Sequence, residues 1–169
     1  MGRRPRRCGW MSDPGDIEII DYEPRYREAF ERLNREWLEA LFKVEPVDAR
    51  MLGDPERHII EPGGHILFAR RGDDIVGTVA LKSEGDGSYE LTKMAVTASV
   101  RGLGVGRRLG EAIVERYRSL GGTTLHLDSH SSLAPAIALY ESLGFREAPR
   151  PAPSEYVRCD IYMEYRPRG

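Results

Sequence analysis

LTKMAVTASVRGLGVGRRL, residues Leu91 to Leu109, runs from an apolar strand through a glycine-spaced turn into a helix. The turn is Arg101-Gly102-Leu103-Gly104-Val105-Gly106. Glycine takes positive φ without strain and lets a ligand approach the main chain closely. The first turn of a helix leaves its N–H groups unpaired, and the macrodipole favours negative charge there. A strand that feeds such a turn is therefore a candidate phosphate site. A glycine-rich strand-to-helix turn with no ligand is the plainer alternative.

Spacing narrows the ligand. A Walker loop ends Gly-Lys-Ser/Thr, whereas this loop ends Gly106-Arg107-Arg108. Gly102 and Gly104 satisfy two positions of a dinucleotide fingerprint, but Arg107 stands at the third. No strand with a ribose-binding acid follows at the right distance. Arg-x-x-Gly-x-Gly remains, carried by Arg101, Gly104 and Gly106. With this motif the chain resembles the GNAT superfamily of acetyl-CoA-dependent N-acyltransferases, in which the loop holds the CoA pyrophosphate through main-chain N–H groups. The resemblance implies a CoA site made of Met94, Ala95, Val96, Arg101, Gly102, Leu103, Gly104, Val105, Gly106, Arg107 and Tyr140.

Working outward from the loop, the next helix runs to about Leu120, with Leu109, Ile113, Val114 and Tyr117 on its apolar face. Gly121-Gly122 stops it. A strand (Thr124 to Ser129), a helix (Ala134 to Leu143, closed by Gly144) and a short strand (Phe145 to Ala148) follow. An Arg-Pro-Ala-Pro loop then leads to a last alternating strand, Cys159 to Arg166. Upstream, Tyr89 to Val96 reads as a strand entered through the turn Glu84 to Ser88. His65 to Ala69 and Asp74 to Leu81 read as a hairpin around Arg70-Arg71-Gly72-Asp73.

Ile17 to Tyr22 is a first strand, and Pro24 opens a helix with Tyr26, Phe30, Leu33 and Trp37 at helical spacing. Asp48 to Gly53 is a short helix, Asp54-Pro55 a second start, and Pro62-Gly63-Gly64 a turn. This order predicts an α/β (α+β) single domain over residues 17–169, a mixed, mostly antiparallel sheet flanked by helices. It matches the GNAT order from Ile17 to Arg166, most closely from Tyr89 to Phe145. Residues 1–16, rich in Arg, Pro and Gly, read as a disordered tail. Its twin arginines lack the apolar run of an export signal, and Met11 is an alternative start.

Composition bounds the function classes. The chain of 169 residues is 31% charged and 40% hydrophobic, as expected of a soluble globular domain. A net charge of −2 argues against a general nucleic-acid surface. No apolar run has the length of a membrane span. Two cysteines, Cys8 and Cys159, make no disulfide framework, so a cytoplasmic protein is expected. The four histidines are scattered and no zinc spacing exists, so no metal is expected.

Two further matches to the GNAT superfamily are Ala138-Leu139-Tyr140-Glu141-Ser142-Leu143-Gly144-Phe145 and the acid Glu90, four residues before Met94. Trp37, Pro62-Gly63-Gly64 and Cys159 to Glu164 also look like an uncharacterised bacterial subgroup. Acetyl transfer to an amine needs a base for the amine, a donor for the carbonyl oxygen and an acid for the thiolate. Strand alternation sets Glu90, Thr92 and Met94 on one face ahead of any bulge. A shielded carboxylate there would have a raised pKa, so Glu90 is the candidate base, or the anchor of a cationic acceptor. The resemblance assigns the carbonyl donor to the Met94 main chain and the acid to Tyr140, whose phenol pKa lies near that of a thiol.

Trp37 and Phe42 are candidates for the acceptor wall. His65, Arg158 and Asp160 are candidates for the acceptor side, Arg158 as a clamp for an acceptor carboxylate. Ser129-His130-Ser131 departs from the Asn common in the family, and His130 is either a polar loop residue, a second acid–base group or a phosphate contact. No obvious cysteine nucleophile marks the thioester, which favours direct transfer. The acceptor is expected to be a small amine or amino acid. Acetylation of a protein or peptide amine, or a non-catalytic acyl-CoA sensor, is the alternative. The resemblance makes a homodimer plausible.

Overall fold

The computed structural model describes residues 16–167. The expected tail, apart from Asp16, and Cys8 with it, lie outside the described residues. The strands are β1 (Ile17–Asp21), β2 (His65–Arg71), β3 (Asp74–Gly85), β4 (Ser88–Val96), β5 (Thr124–Ser129), β6 (Phe145–Glu147) and β7 (Ile161–Tyr165). The helices are α1 (Arg27–Leu41), α2 (Pro46–Gly53), α3 (Val105–Ser119) and α4 (Ala134–Leu143). They build one 7-stranded sheet in the order β1-β2-β3-β4-β5-β7-β6. Every pair is antiparallel except β4–β5. A parallel pair needs a crossover, and α3 supplies it. Among the described residues no helix is long and apolar enough to cross a membrane.

Each face of the sheet buries its own core. Leu109, Ile113 and Tyr117 of α3 meet Leu81, Leu91, Leu125 and Phe145 on one face. Phe30, Leu33 and Leu38 of α1 and Met51 and Leu52 of α2 meet Phe68, Ala80 and Ala95 on the other. The helical spacing of these side chains makes one apolar stripe per helix, and the sheet is the surface that buries it. Gly77 sits under α3, where a Cβ would come within 2.9 Å of a Leu109 methyl.

One strand in particular runs further than the sequence pattern indicates. β3 continues through Lys82, Ser83 and Glu84, because Lys82 and Ser83 still pair with Glu90 and Tyr89. Ladder pairing uses main-chain groups, so it continues where the apolar side chains end. Glu56–Ile60, expected as a helix start, forms a wide π-type turn.

A bulge in β4 corrects the alternation expected for Glu90, Thr92 and Met94. Ala80 faces Thr92 and Thr78 faces Ala95, so Lys93 and Met94 together lie across from the single residue Val79. Lys93 takes φ of 54°, left-handed backbone that non-glycine residues seldom occupy. The extra residue sends Met94 to the α3 side, where it packs with the core beneath that helix, while Lys93 reaches α2. Beyond the bulge the sheet opens. β4 and β5 pair only over Ser88–Glu90 and Thr124–His126, and then part.

A buried ionic cluster holds this bulge. Asp48 is fully buried. Lys93 Nζ donates to its Oδ1 at 2.6 Å, and Arg158 donates to both its oxygens at 2.6 and 2.9 Å. Arg158 also donates to Glu45 at 3.0 Å. The guanidinium carbon of Arg158 and the ammonium of Lys93 both lie 4.7 Å from the centre of the Tyr156 ring. Burial alone would raise the Asp48 pKa, but the Arg158 hydrogen bonds and the Lys93 charge hold it at about 2.

Removing one partner of a buried ion pair strands the other, at a cost of about 3–5 kcal/mol. Asp48→Ala is therefore expected to lower stability by that order in urea unfolding. The folded-state pKa of Asp48 is depressed, so its contribution is present above the ordinary carboxylate pKa and is lost as pH falls through about 2. In Asp48→Asn that acid-sensitive component should be missing from the stability profile.

Candidate active site

Three adjoining cavities follow the opening in the sheet. The inner one, about 470 Å3, is lined by Met94, Ala95, Val96, Arg101, Gly102, Gly104, Val105, Gly106 and Arg107, with Trp37 and Tyr140 at its end. Gly102 and Gly104 take φ of 82° and 77°, and a Cβ on either would meet no atom within 4 Å. The loop is thus held by backbone conformation, and the space in front of it is open. No side chain caps the first turn of α3. These features fit the phosphates of CoA: unpaired N–H groups, a helix N-terminus and the exposed cation Arg101. Arg107 is partly committed, donating to Ser142 at 2.9 Å. Leu103 is exposed and does not line the cavity.

The middle cavity, about 170 Å3, occupies the gap between β4 and β5. Trp37, Met94 and Tyr140 are shared with the inner cavity. The Trp37 Nε1 donor is buried with no partner among the described residues, which suits an amide-bearing arm passing the indole. His130 lines the gap, with its ring against Phe42 and its Nδ1 2.7 Å from the Ser132 hydroxyl. Burial pushes the Tyr140 phenol up to about 12. That separates it from an ordinary thiol near roughly 8.5, so the match of pKa values expected from sequence does not hold.

A cysteine does reach this gap. Cys159, distant in sequence from the loop, lines the middle cavity, where the sequence marks no obvious cysteine nucleophile. Burial pushes its thiol up to about 12, so it stays protonated near neutral pH. Only a thiolate is a competent nucleophile.

The outer cavity, about 690 Å3, shares Asp128 and Tyr156 with the middle one and is walled by the loop 150–156. Glu90 lines it, 4% exposed. No hydrogen bond reaches the Glu90 carboxyl among the described residues, and burial pushes its pKa up to about 7. Lys82 and His126 offset this in part. His126 Nε2 lies 2.7 Å from a Glu84 oxygen, and its ring stacks on Tyr162. Among the described residues, Glu84, Glu90 and His126 are the one group with metal-ligand types close together, with atoms within 4.8 Å of one another. This constellation was not visible in the histidine and cysteine spacing.

The geometry brings Trp37, Met94 and Tyr140 together and sets Glu90 on the adjoining wall. It does not bring His65, which opens β2 and meets Arg116 of α3 at 3.0 Å, on the far side of β3 and β4. Asp160 is exposed and accepts from the Ser131 N–H and hydroxyl at 2.8 and 2.7 Å, fastening the loop after β5. Arg158 lines the middle cavity, but Asp48 and Glu45 occupy its guanidinium, so it is not a free carboxylate clamp. Sequence reasoning passed over Lys93, Asp48, Tyr156, Glu84 and His126. Lys93 had a visible signal, a charge inside the apolar run Leu91 to Val96. The others are joined to the site only by folding.

Comparison with known proteins identifies the family and the fold. A family model described as the acetyltransferase (GNAT) family matches residues 22–145. The IAA acetyltransferase of Azospirillum brasilense is 32% identical over 132 residues, covering 72% of this chain and 86% of that protein. A GNAT-family acetyltransferase from Staphylococcus aureus Mu50 has the same fold, with TM-score 0.79 at 22% identity over 88% of this chain and 97% of its own. The PaiA N-acetyltransferase of Thermoplasma acidophilum, solved with coenzyme A, aligns with TM-score 0.72 at 15% identity over 89% and 98% of the two chains. The motif in its strand–loop–helix setting, the opened sheet and a family match over residues 22–145 together make the chain a member of the GNAT family of acetyl-CoA-dependent acetyltransferases.

Proposed function

We propose that the protein moves an acetyl group directly from acetyl-CoA to a primary amine of a small molecule. The observation that carries this reading is the continuity of the three cavities. The inner cavity shares Trp37, Met94 and Tyr140 with the gap, and the gap shares Asp128 and Tyr156 with the cavity that holds Glu90. A donor along α3 and an acceptor entering past the loop 150–156 meet where β4 and β5 part. An outer cavity of about 690 Å3 has the size of a small-molecule site.

The chemistry follows from what each group can do. An alkylammonium must lose a proton before it can attack, and Glu90, with its pKa raised to about 7, is a stronger base than an ordinary carboxylate. Lys93 and Met94 share one opposing residue on β3, and β5 has turned away, so main-chain N–H groups at the bulge are available to the thioester oxygen. Glu90 takes the ammonium proton and passes it to solvent. The free amine nitrogen then bonds the acetyl carbon, and the C–S bond breaks. The second nitrogen proton passes to the ionised Glu90, and the leaving thiolate takes a proton from solvent. Tyr140 donates a hydrogen bond to the departing thiolate. With the phenol near 12, its contribution is that hydrogen bond rather than full proton transfer. The protonated Cys159 favours direct transfer over a covalent acyl-enzyme.

Glu90→Gln is expected to lower kcat by about 10²–10⁴-fold, the usual worth of a general base. In the parent enzyme the rate should rise with pH to a plateau, with a midpoint at about 7 set by ionisation of Glu90. A rate unchanged in Glu90→Gln, or flat from pH 5 to 9 in the parent, would count against the assignment.

Tyr140→Phe should lose about 10- to 100-fold in kcat, corresponding to one hydrogen bond to a charged group, and keep its affinity for CoA. Gly104→Glu should weaken CoA binding, measured by calorimetry, through negative charge at the phosphate loop. Its left-handed φ of 77° should also cost about 1–2 kcal/mol of stability. Tight CoA binding without thiol release from any amine would return the protein to the acyl-CoA sensor class.

A further inference from the structure

We infer that the acceptor is a linear diamine or polyamine, an amine that brings a second positive charge into the outer cavity. This rests on the transfer reading above. Glu90 stands opposite His126, and His126 opposite Glu164, on β4, β5 and β7. Residues paired in this way project from the same face, so the three share one row, which Lys82 continues opposite Glu90 and Arg146 continues opposite Glu164. Strands lie about 4.8 Å apart, which puts the two acidic positions about 10 Å apart at the main chain. Glu84 joins the Glu90 end, where the atoms of Glu84, Glu90 and His126 lie within 4.8 Å of one another.

The neighbouring cations are already engaged. Arg150 donates to Asp128 at 2.6 Å, Arg146 to the Glu141 and Phe145 carbonyls at 2.8 and 2.7 Å, and Lys82 to Glu155 at 3.3 Å. Among the described residues neither Glu84 nor Glu90 has an Arg or Lys ion-pair partner: Glu84 pairs with His126, and Glu90, over nine-tenths buried, has no hydrogen bond. Lys82 and His126 are the positive or ionisable neighbours of that end, neither bonds the Glu90 carboxyl, and Glu90 lines the cavity. At the other end Glu164 is held by Arg166, whose side chain is 61% exposed. An exposed pair of this kind is weak, so a ligand ammonium can replace Arg166 at little cost.

Tyr162 stacks on His126, so an aromatic surface adjoins the row. Such a surface suits methylene groups and ammonium ions. A chain of about four to six carbons spans the row once an ammonium–carboxylate contact is allowed at each end. An α-amino acid fits poorly. Its carboxylate would lie beside Glu84 and Glu90, and Arg158, the cation that could have held it, is taken by Asp48 and Glu45.

The test uses the full chain with acetyl-CoA and a panel of diamines of three to seven carbons, n-butylamine, glycine and aspartate, read by thiol release and product mass. The expected result is kcat/KM at least roughly tenfold higher for the diamines of about four to six carbons than for n-butylamine. In Glu164→Gln that diamine-to-monoamine ratio should fall toward one. Glu84→Gln, tested in parallel, should raise KM for every amine, with folding of both variants checked by urea unfolding.

Equal or better use of n-butylamine, or a ratio unchanged in Glu164→Gln, overturns the inference and leaves acetyl transfer intact. Preference for glycine or aspartate does the same. Silence with every amine, with CoA still bound, overturns the transfer reading and this inference with it.

Discussion

Asp48 collects charge from parts of the chain that are far apart in sequence. Lys93 comes from the bulge of β4, Arg158 from the segment before β7, and Glu45 from the turn into α2. A carboxylate removed from water in this way persists only with cations at hydrogen-bonding distance. Two cations at one acid, with Glu45 beside the second, leave no charge in the cluster uncompensated. The cluster therefore joins α2, the bulge and the approach to β7 into one unit. Lys93 keeps a left-handed φ that an unanchored lysine would relax.

The opening of the sheet follows from that anchored bulge. The extra residue redirects Met94, and β5 loses its pairing with β4 immediately after Glu90. A closed ladder would have spent the main-chain groups of Met94 to Val96 on a neighbouring strand. Opened, it leaves a gap that connects the glycine loop on one face with the Glu90 cavity on the other. The catalytic proposal thus depends on a structural defect that is itself held by a buried ion pair.

Burial then sets the chemistry of the groups around the gap. Glu90, Tyr140 and Cys159 are all shifted toward their neutral forms, because each lies where a charge is poorly solvated. The outcomes differ with the starting values. In the proposed reaction a carboxyl raised to about 7 suits a base, whereas a thiol raised to about 12 stays protonated. One physical effect thus fits the first group to the proposed base role and the second to none.

The sequence by itself determined most of the elements and the family's cofactor. Apolar side chains repeat at helical and strand spacing from Ile17 to Tyr165, and Arg101, Gly104 and Gly106 mark a strand–loop–helix whose consequences are local. Glu90 could be singled out by its place on the strand four residues before Met94, and Tyr140 by the resemblance of Ala138 to Phe145 to a GNAT signature. The acceptor side was not legible. His65 looked suitable by residue type but lies on the wrong part of the sheet, and Arg158 looked free but is consumed by Asp48. Cys159, His126, Glu84 and Tyr156 meet the site only through pairing across β4, β5 and β7 and the return of the loop 150–156. Side-chain periodicity reports which way a residue faces within its own element. Which distant residues share a cavity, and which charges are already neutralised, depends on strand order, and only the tertiary structure decided that.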